Sequence, residues 1–240
     1  GAEVRSQPLP GGGARVTLVG ERDLIARPLS VPADPSSAAF PAVAALLAPG
    51  SAVKLPGLCV NPGRTGLYTT LAEMGAKLTW SNEREVSGEP VADLSVAYSA
   101  LKGVEVPAAR APSMIDEYPI LAMAAACAQG KTVLRGLAEL KVKESDRFAA
   151  IVRGLTACGV TLEAGEEELV IHGAGRPPKG GASIVTDFDH RIAMSFLVLG
   201  LVSEQPVTVD DGRFIDTSFP GFVTLMRKLG AAIDSANDAG

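Results

Sequence analysis

The stretch 189–202, DHRIAMSFLVLGLV, starts with three charged or titratable residues and continues with eleven positions where Ser195 is the only polar side chain. Residues 120–128, ILAMAAACA, carry no polar side chain. A helix that is apolar on every side must be surrounded by protein. The strand-like segments alternate polar and apolar residues, so each should expose one face. The sequence therefore predicts helices at the centre of the fold and sheets outside them.

Both apolar stretches belong to an internal repeat. From the leading Asp of each copy to the central Val of the following strand, the step is 19, 17 and 18 residues. Such regularity indicates a duplicated supersecondary unit. Each copy is expected to run helix, strand, helix and strand, with the leading Asp able to cap its helix. The expected fold class is α/β (α+β), an inside-out lobe of repeated helix–sheet units. The three units are expected at about 34–80, 116–172 and 189–234.

The segments outside the repeat are expected to differ from it. Residues 1–31 form a distinct N-terminal segment, with strands predicted at 15–20 and 24–31, and residues 32–240 contain the repeat. Loop-rich segments or a frayed end are expected at 82–97, 173–186 and 235–240.

Composition and charge exclude several classes of protein. The chain is 47% hydrophobic and 20% charged, which is typical of a globular domain. A net charge of −5 without a Lys/Arg stripe argues against a nucleic-acid partner, because phosphate neutralisation needs clustered cations. The apolar runs are shorter than the ~20 residues that a membrane span needs, so no membrane partner is expected.

Cysteine and histidine usage bears on metals and compartment. The thiols and imidazoles are Cys59, Cys127, Cys158, His172 and His190. They form no Cys-x-x-Cys or Cys/His motif, so no metal site is expected, and no cofactor either. An odd number of unpaired thiols fits the reducing cytoplasm. The chain begins at Gly1 without an initiator Met, which suggests a piece of a longer protein.

Chemically capable residues lie at the start of the second helix of the second unit, in the motif KESDR. Lys143 and Arg147 are spaced i, i+4, so they are expected to share a helix face. Two cations there are unfavourable unless an anion lies between them, and helix N-termini attract phosphate or carboxylate. Glu144 lies between them and should stay ionised until a proton-transfer partner arrives. The alternative is a solvated charged face.

Further candidates flank the other apolar helices. Arg191 can make a bidentate contact with carboxylate or phosphate. His190 titrates near neutrality and could move a proton, although it could equally be a polar residue satisfied at a helix end. Asp116 could be a simple N-cap. Arg64, in NPGRT, is a weaker candidate for the same rim. Together these groups suit a reaction between anionic substrates with proton transfers.

These motifs resemble those of the 5-enolpyruvylshikimate-3-phosphate synthases. The segments IDEYPILA, ELKVKESDR, DHRIAMSFLVLGLVSEQPVTVDD and SFPGF are most similar to the bacterial glyphosate-tolerant class, and the likeness spans nearly the whole chain. The family has two lobes, each of three helix–sheet units with the helices inside. The resemblance implies that residues 1–31 are the end of the first lobe and the crossover hinge, and that 32–240 are the C-terminal lobe.

The resemblance also implies an activity and its acid–base groups. The family transfers the enolpyruvyl group of phosphoenolpyruvate to the 5-hydroxyl of shikimate 3-phosphate and releases phosphate, in cytoplasmic aromatic amino-acid biosynthesis. Asp116 would help to deprotonate the hydroxyl. Glu144 would exchange a proton with the methylene carbon. Lys143 would contact the hydroxyl region and is a second proton-transfer candidate.

Substrate binding is implied in the same way. Arg147 and Arg191 would hold the carboxylate and phosphate of phosphoenolpyruvate, with His190 as their neighbour. Many relatives carry a Lys where this chain has Thr217-Ser218. The family's first-lobe Lys-Ser pair, Ser-Ala-Gln segment and Arg are absent here. The isolated chain is therefore expected to bind shikimate 3-phosphate poorly and to need the missing N-terminal lobe as its partner.

Three other interpretations stay open at this point. The UDP-N-acetylglucosamine enolpyruvyl transferases share the fold but use a loop Cys, and no Cys here lies in a comparable Gly-rich loop. The RNA 3′-terminal phosphate cyclases have a related layering, but the acidic charge of this chain weighs against them. A non-catalytic lobe with vestigial site residues is a rival of a different class.

Overall fold

The computed structural model describes residues 1–10 and 13–234. The chain divides into two compact units, Gly1–Val31 and Pro32–Gly240, which are described separately. The frayed end expected at 235–240 lies outside the described residues.

The first unit contains a hairpin followed by an irregular segment. Strand β1 (Glu3–Pro8) pairs antiparallel with β2 (Ala14–Val19), where the sequence predicted a strand at 15–20. The strand predicted at 24–31 is wrong, because these residues form no strand in the structure. Pro28 lacks the N–H that a ladder needs, so its apolar neighbours do not suffice to make a strand.

The helices of the second unit form its centre. Three of them, α1, α3 and α5, pack against one another, and all but one residue of α1 and of α3 are buried. In the described part of the chain, no helix has the length and apolar character needed to cross a membrane. The helices are α1 (Pro35–Leu47), α2 (Gly66–Glu73), α3 (Tyr118–Cys127), α4 (Arg147–Ala157), α5 (His190–Gly200) and α6 (Phe222–Lys228).

The strands described between residues 32 and 234 form three sheets. Their bounds are β3 (Ala52–Cys59), β4 (Lys77–Val86), β5 (Glu89–Ala97), β6 (Glu105–Val106), β7 (Gln129–Arg135), β8 (Thr161–Ala164), β9 (Glu168–Ala174), β10 (Ser183–Ile184) and β11 (Thr208–Val209). The first sheet is antiparallel in the order β3-β5-β4. The second has the order β6-β7-β9-β8, with only its β6–β7 pair parallel. The third is the short parallel pair β10–β11.

Burial follows the inside-out arrangement. Ala122, Ala124 and Ala125 of α3 have no exposed surface, and these small side chains let the central helices approach closely. Strand β3 alternates exposed with partly buried residues over most of its length, as expected for a sheet with one solvated face. The predicted fold class is confirmed: buried helices are covered by outer sheets.

Two expectations about the strands are wrong. Residues 82–97 are not a loop-rich excursion but most of the β4–β5 hairpin. Its two-residue turn, Ser87-Gly88, has φ of 53° and 88°, and such left-handed turns match the twist of antiparallel strands. The strand expected to close the third unit after α6 does not form within the described residues, where 231–234 are irregular.

The starts of the central helices position the polar groups. The carboxylate of Asp34 accepts from the backbone N–H groups of Ser36 and Ser37, and that of Asp189 caps α5 in the same way. Asp116 is different, since it lies in a 3-10 turn before α3 and caps nothing. The simple N-cap considered for Asp116 is therefore wrong, and its carboxylate is available for other contacts.

The close approach of α4 and α5 yields the first prediction. A methyl group at Gly154 would overlap the ring of Phe196. We expect Gly154→Ala to lower the free energy of unfolding by about 1–3 kcal/mol through overpacking. It should do so although Ala favours a helix by about 1 kcal/mol. Denaturant unfolding followed by circular dichroism measures the change.

The control for this prediction is the same substitution in a Phe196→Leu background. There the overlap is relieved, and Gly154→Ala should be neutral or stabilising. An equal loss in both backgrounds would contradict the packing argument.

Candidate active site

The guanidinium of Arg147 is the centre of a group of charged side chains. Arg147 is the first residue of α4, and its side chain has no exposed surface. Its Nε donates to Asp189 Oδ2 at 2.8 Å, its Nη1 to Asp116 Oδ1 at 2.9 Å, and its Nη2 to Glu144 Oε2 at 2.5 Å. A buried cation needs such partners, because its desolvation is otherwise uncompensated. One side chain thus joins the second and third repeated units.

Lys143 contacts the same carboxylate from the loop before α4. Its Nζ lies 3.3 Å from Asp116 Oδ1. The expectation that Lys143 and Arg147 share a helix face is wrong, because Asp146 caps α4 through the N–H of Ala149 and Lys143 has an extended backbone. An anion does lie between the two cations, as their spacing required, and it is the carboxylate of Asp116.

The ionisation of Asp116 follows from these contacts. Partial burial alone would raise its pKa, but Arg191, Lys143 and Arg147 outweigh that cost and hold the pKa below its ordinary value. Asp116 is therefore ionised at neutral pH. Its side chain keeps 39% of its surface exposed, so a ligand can reach the carboxylate.

Arg191 lies on the other side of the same turn. Its Nη1 donates to the backbone oxygen of Asp116 at 3.1 Å and to Glu117 Oε1 at 3.3 Å. Within residues 1–10 and 13–234, neither its Nε nor its Nη2 has a protein hydrogen-bond partner. Arg191 can therefore accept a new anion without breaking a bond, whereas every nitrogen of Arg147 is already engaged.

His190 is buried at the start of α5. Burial lowers its pKa, Asp189 opposes that shift, and Arg191 and Arg147 reinforce it. The imidazole is therefore neutral at pH 7. It lines a small cavity of about 70 Å³. The cavity is also lined by Asp34, Ser36, Ser37, Phe40, Arg191, Met194, Ser218 and Phe219.

The weaker candidates occupy separate places. The Nη2 of Arg64 donates to Asp34 Oδ1 and to Ser36 Oγ, both at 2.9 Å. The Ser36 hydroxyl also lies near Glu117, whose pKa it lowers. His172 pairs with Glu163 at 2.8 Å on the second sheet and takes no part in the Arg147 contacts.

Asp189 is not among the catalytic or binding residues predicted from the sequence, but the structure makes it central. Its carboxylate caps α5 and also accepts from Arg147 and from Ser145 Oγ, the latter at 3.1 Å. The two preceding residues, Asp187 and Phe188, have φ of 51° and 61°. Left-handed backbone at non-glycine residues is costly and often occurs at functional sites. No glycine signalled this turn, so the pattern of residues could not reveal it.

We define the Arg147 cluster as Asp116, Lys143, Glu144, Arg147, Asp189 and Arg191. Two larger cavities, of about 850 and 820 Å³, lie elsewhere and contain none of these residues. The first is lined by Tyr68 and Trp80 beside α2, and the second by the ends of α1 and α5. Acid–base chemistry needs convergent titratable groups, and the Arg147 cluster provides them. We therefore take the cluster, rather than the larger cavities, as the candidate site.

Comparison with solved structures first defines the class of fold. The enolpyruvyl transferase NikO from Streptomyces tendae matches with a TM-score of 0.60 at 19% identity, over 83% of this chain and 43% of that one. At that identity the likeness concerns the fold alone. EPSP synthase from Acinetobacter baumannii matches with a TM-score of 0.89 at 41% identity, over 98% of this chain and 53% of that one.

Comparison of sequences then identifies the family. The profile of EPSP synthase (3-phosphoshikimate 1-carboxyvinyltransferase) matches residues 1–235. Proteins named 3-phosphoshikimate 1-carboxyvinyltransferase are 61% identical in Paramagnetospirillum magneticum, over 99% of this chain and 53% of the relative, and 62% identical in Rhodospirillum rubrum, over 92% and 49%. The chain belongs to the EPSP synthase family. It spans about half the length of the curated relatives it matches.

Removing the central cation tests the electrostatics of the cluster. We expect Arg147→Met to lower the free energy of unfolding by about 3–5 kcal/mol, because it removes the guanidinium that joins the carboxylates of Asp116, Glu144 and Asp189. Asp116 contributes to this effect above its ordinary pKa of 3.8 and ceases to do so as the pH falls through its lowered native value. Denaturant unfolding at neutral pH and near pH 3 should show a smaller difference in free energy of unfolding between the wild type and Arg147→Met at the lower pH.

Arg153→Met is the matched control on the same helix. Arg153 pairs with Asp187 at 2.7 Å, but both side chains are about half exposed. Exposed pairs contribute about 1 kcal/mol or less. Similar losses in the two variants would contradict the central place given to Arg147.

Proposed function

We propose that this chain supplies the acid–base half of a site that transfers the enolpyruvyl group of phosphoenolpyruvate to the 5-hydroxyl of shikimate 3-phosphate. One observation carries the proposal: Asp116 and Glu144 accept hydrogen bonds from one buried guanidinium at 2.9 and 2.5 Å, and Lys143 Nζ lies 3.3 Å from the same Asp116 carboxylate. Membership of the EPSP synthase family supports it. The reaction is a transfer that releases phosphate and needs proton movement at both reacting centres.

Asp116 is the proposed base for the attacking hydroxyl. It is ionised and half-exposed, and three cations stabilise its charge. As the 5-oxygen bonds to C2 of phosphoenolpyruvate, its proton passes to Asp116. Lys143, 3.3 Å from the same carboxylate, is placed to contact the hydroxyl and to relay that proton.

Glu144 is the proposed group for the methylene carbon. In the addition step its acid form gives a proton to C3, which becomes a methyl group in the tetrahedral intermediate. In the elimination step the carboxylate takes a proton back from that methyl group while the bond from C2 to the phosphate oxygen breaks, and the proton held by Asp116 leaves with the phosphate. Glu144 is the most exposed carboxylate of the cluster, at 52%, so it can face a substrate while Arg147 orients it.

Arg191 is the proposed first contact for the anionic groups of phosphoenolpyruvate, because its Nε and Nη2 are open within the described residues. Direct binding by Arg147, expected from the sequence, stays a prediction and requires a substrate anion to displace Glu144 or Asp116. His190, neutral and buried beside Arg191, is a proposed neighbour of the bound anion.

The remaining parts of the proposal rest on the sequence. Residues 1–31 are proposed as the end of a first lobe with its hinge, and 32–240 as the C-terminal lobe of three units. The N-terminal lobe is the proposed partner, since it would supply the other groups that bind shikimate 3-phosphate. A cytoplasmic location and membership of the glyphosate-tolerant class are proposed on the same resemblance.

Phosphate release from shikimate 3-phosphate and phosphoenolpyruvate tests the proposal. The chain alone should show negligible turnover, and adding a first-lobe fragment of a relative should restore it. Asp116→Asn and Glu144→Gln should each lower kcat in the complemented enzyme by about 10²–10⁴-fold, the usual contribution of general acid–base groups.

Glu163→Gln is the control for these substitutions. Glu163 is an exposed carboxylate that pairs with His172 on the outer sheet, and its loss should leave turnover unchanged. Complementation without turnover would favour the non-catalytic interpretation. Full activity in either Asp116→Asn or Glu144→Gln would show that the roles assigned to them are wrong.

A further inference from the structure

Glu117 is a buried carboxylate beside the Arg147 cluster that the proposed chemistry does not use. It follows Asp116 directly, and its side chain is only 6% exposed. Buried carboxylates are rare unless they are paired or hydrogen-bonded, so its position calls for a reason. A reason is visible in its partner Arg191, which comes from the third repeated unit.

The hydrogen bonds around Glu117 have a defined direction. Arg64 Nη2 donates to Ser36 Oγ at 2.9 Å, and the Ser36 hydroxyl lies close enough to Glu117 to oppose the rise of its pKa. From the other side, Arg191 Nη1 donates to Glu117 Oε1 at 3.3 Å. A carboxylate accepts this bond with a negative charge opposite the guanidinium, which a neutral amide does not offer.

We propose that Glu117 is a positioning residue that fixes the guanidinium of Arg191 for an incoming substrate anion. The inference rests on the proposed function of the cluster. Glu117 and the backbone oxygen of Asp116 both hold Nη1, so the opposite edge of the guanidinium, with Nε and Nη2, is presented to the ligand. Holding a long cationic side chain in place before binding reduces the ordering that binding must supply.

A merely structural role for Glu117 would have a different signature. Burial raises its pKa, although Ser36 and Arg191 oppose the shift, and Asp116 adds to it while Arg64 lowers it. Tyr68 also faces this charge. A raised pKa means that stability is fully present below the ordinary pKa of 4.5 and falls as the pH rises through the native value. The ionised form is thus unfavourable for folding at neutral pH, and a neutral isostere should not destabilise the chain.

Glu117→Gln in the complex with a first-lobe fragment separates the two roles. We expect KM for phosphoenolpyruvate to rise about 10–100-fold, the range for losing a charge-assisted hydrogen bond, while kcat changes much less. The melting temperature at pH 7.5 should be unchanged or higher. Glu85→Gln, an exposed carboxylate of β4, is the control and should alter neither quantity. An unchanged KM in Glu117→Gln would overturn the proposal, whatever the melting temperature.

Two further measurements keep the proposal testable on its own. If Glu117→Gln fails to fold, Glu117→Asp withdraws the carboxylate from Arg191 by one methylene and should raise the same KM, and an unchanged value would overturn the proposal. On the chain alone, inorganic phosphate should raise the melting temperature of the wild type, and Glu117→Gln and Arg191→Gln should both reduce that increment. The proposal would be overturned if phosphate raised the melting temperature of Glu117→Gln as much as that of the wild type. It would also be overturned if phosphate did not raise the melting temperature of the wild type. Lack of turnover in the wild-type complex would instead count against the proposed function.

Discussion

The site depends on one buried cation. Arg147 has no contact with solvent, and its charge is balanced by Asp116, Glu144 and Asp189. Removing such an ion from water costs several kcal/mol, and only close, well-oriented partners offset that cost. The three carboxylates come from the turn before α3, the loop before α4 and the start of α5. Each of these segments must therefore place its carboxylate within hydrogen-bond distance of the Arg147 guanidinium.

The inside-out layering makes that placement possible. Helices α3 and α5 are buried against each other, so the ends from which Asp116 and Asp189 project are fixed by the packing of the core. Helix N-termini carry partial positive charge, which favours carboxylates at these ends. Asp189 uses one oxygen to cap α5 and the other to bind Arg147. The same side chain thus caps the first turn of α5 and binds the central cation of the site.

The sequence predicts most of what the core determines. Helices apolar on every side, at a regular spacing, indicate buried helices, and the structure confirms them. The sequence predicts less well the features that depend on backbone conformation, such as where a helix begins or which turn forms. The i, i+4 spacing of Lys143 and Arg147 predicts that both lie on one helix. In the structure Asp146 caps α4, so the helix begins at Arg147 and Lys143 precedes it. The hairpin at 82–97 was missed because Ser87-Gly88 is a weaker turn signal than Asn-Gly. The role of Asp189 depends on the left-handed turn before it, which no residue type announces.

Two adjacent carboxylates show how the environment divides the work within the site. Asp116 and Glu117 are consecutive, yet the pKa of Asp116 is lowered and that of Glu117 is raised. Asp116 projects into the cluster, where three cations outweigh its partial burial. Glu117 projects into the core, where burial outweighs Ser36 and Arg191. Neighbouring carboxyl groups whose pKa values are shifted in opposite directions can serve different purposes. In the proposed function the more exposed carboxylate, Asp116, exchanges a proton with the substrate, and the buried one, Glu117, positions Arg191. The 3-10 turn before α3 makes this division possible, because an ordinary cap at Asp116 would have spent its carboxylate on backbone amides.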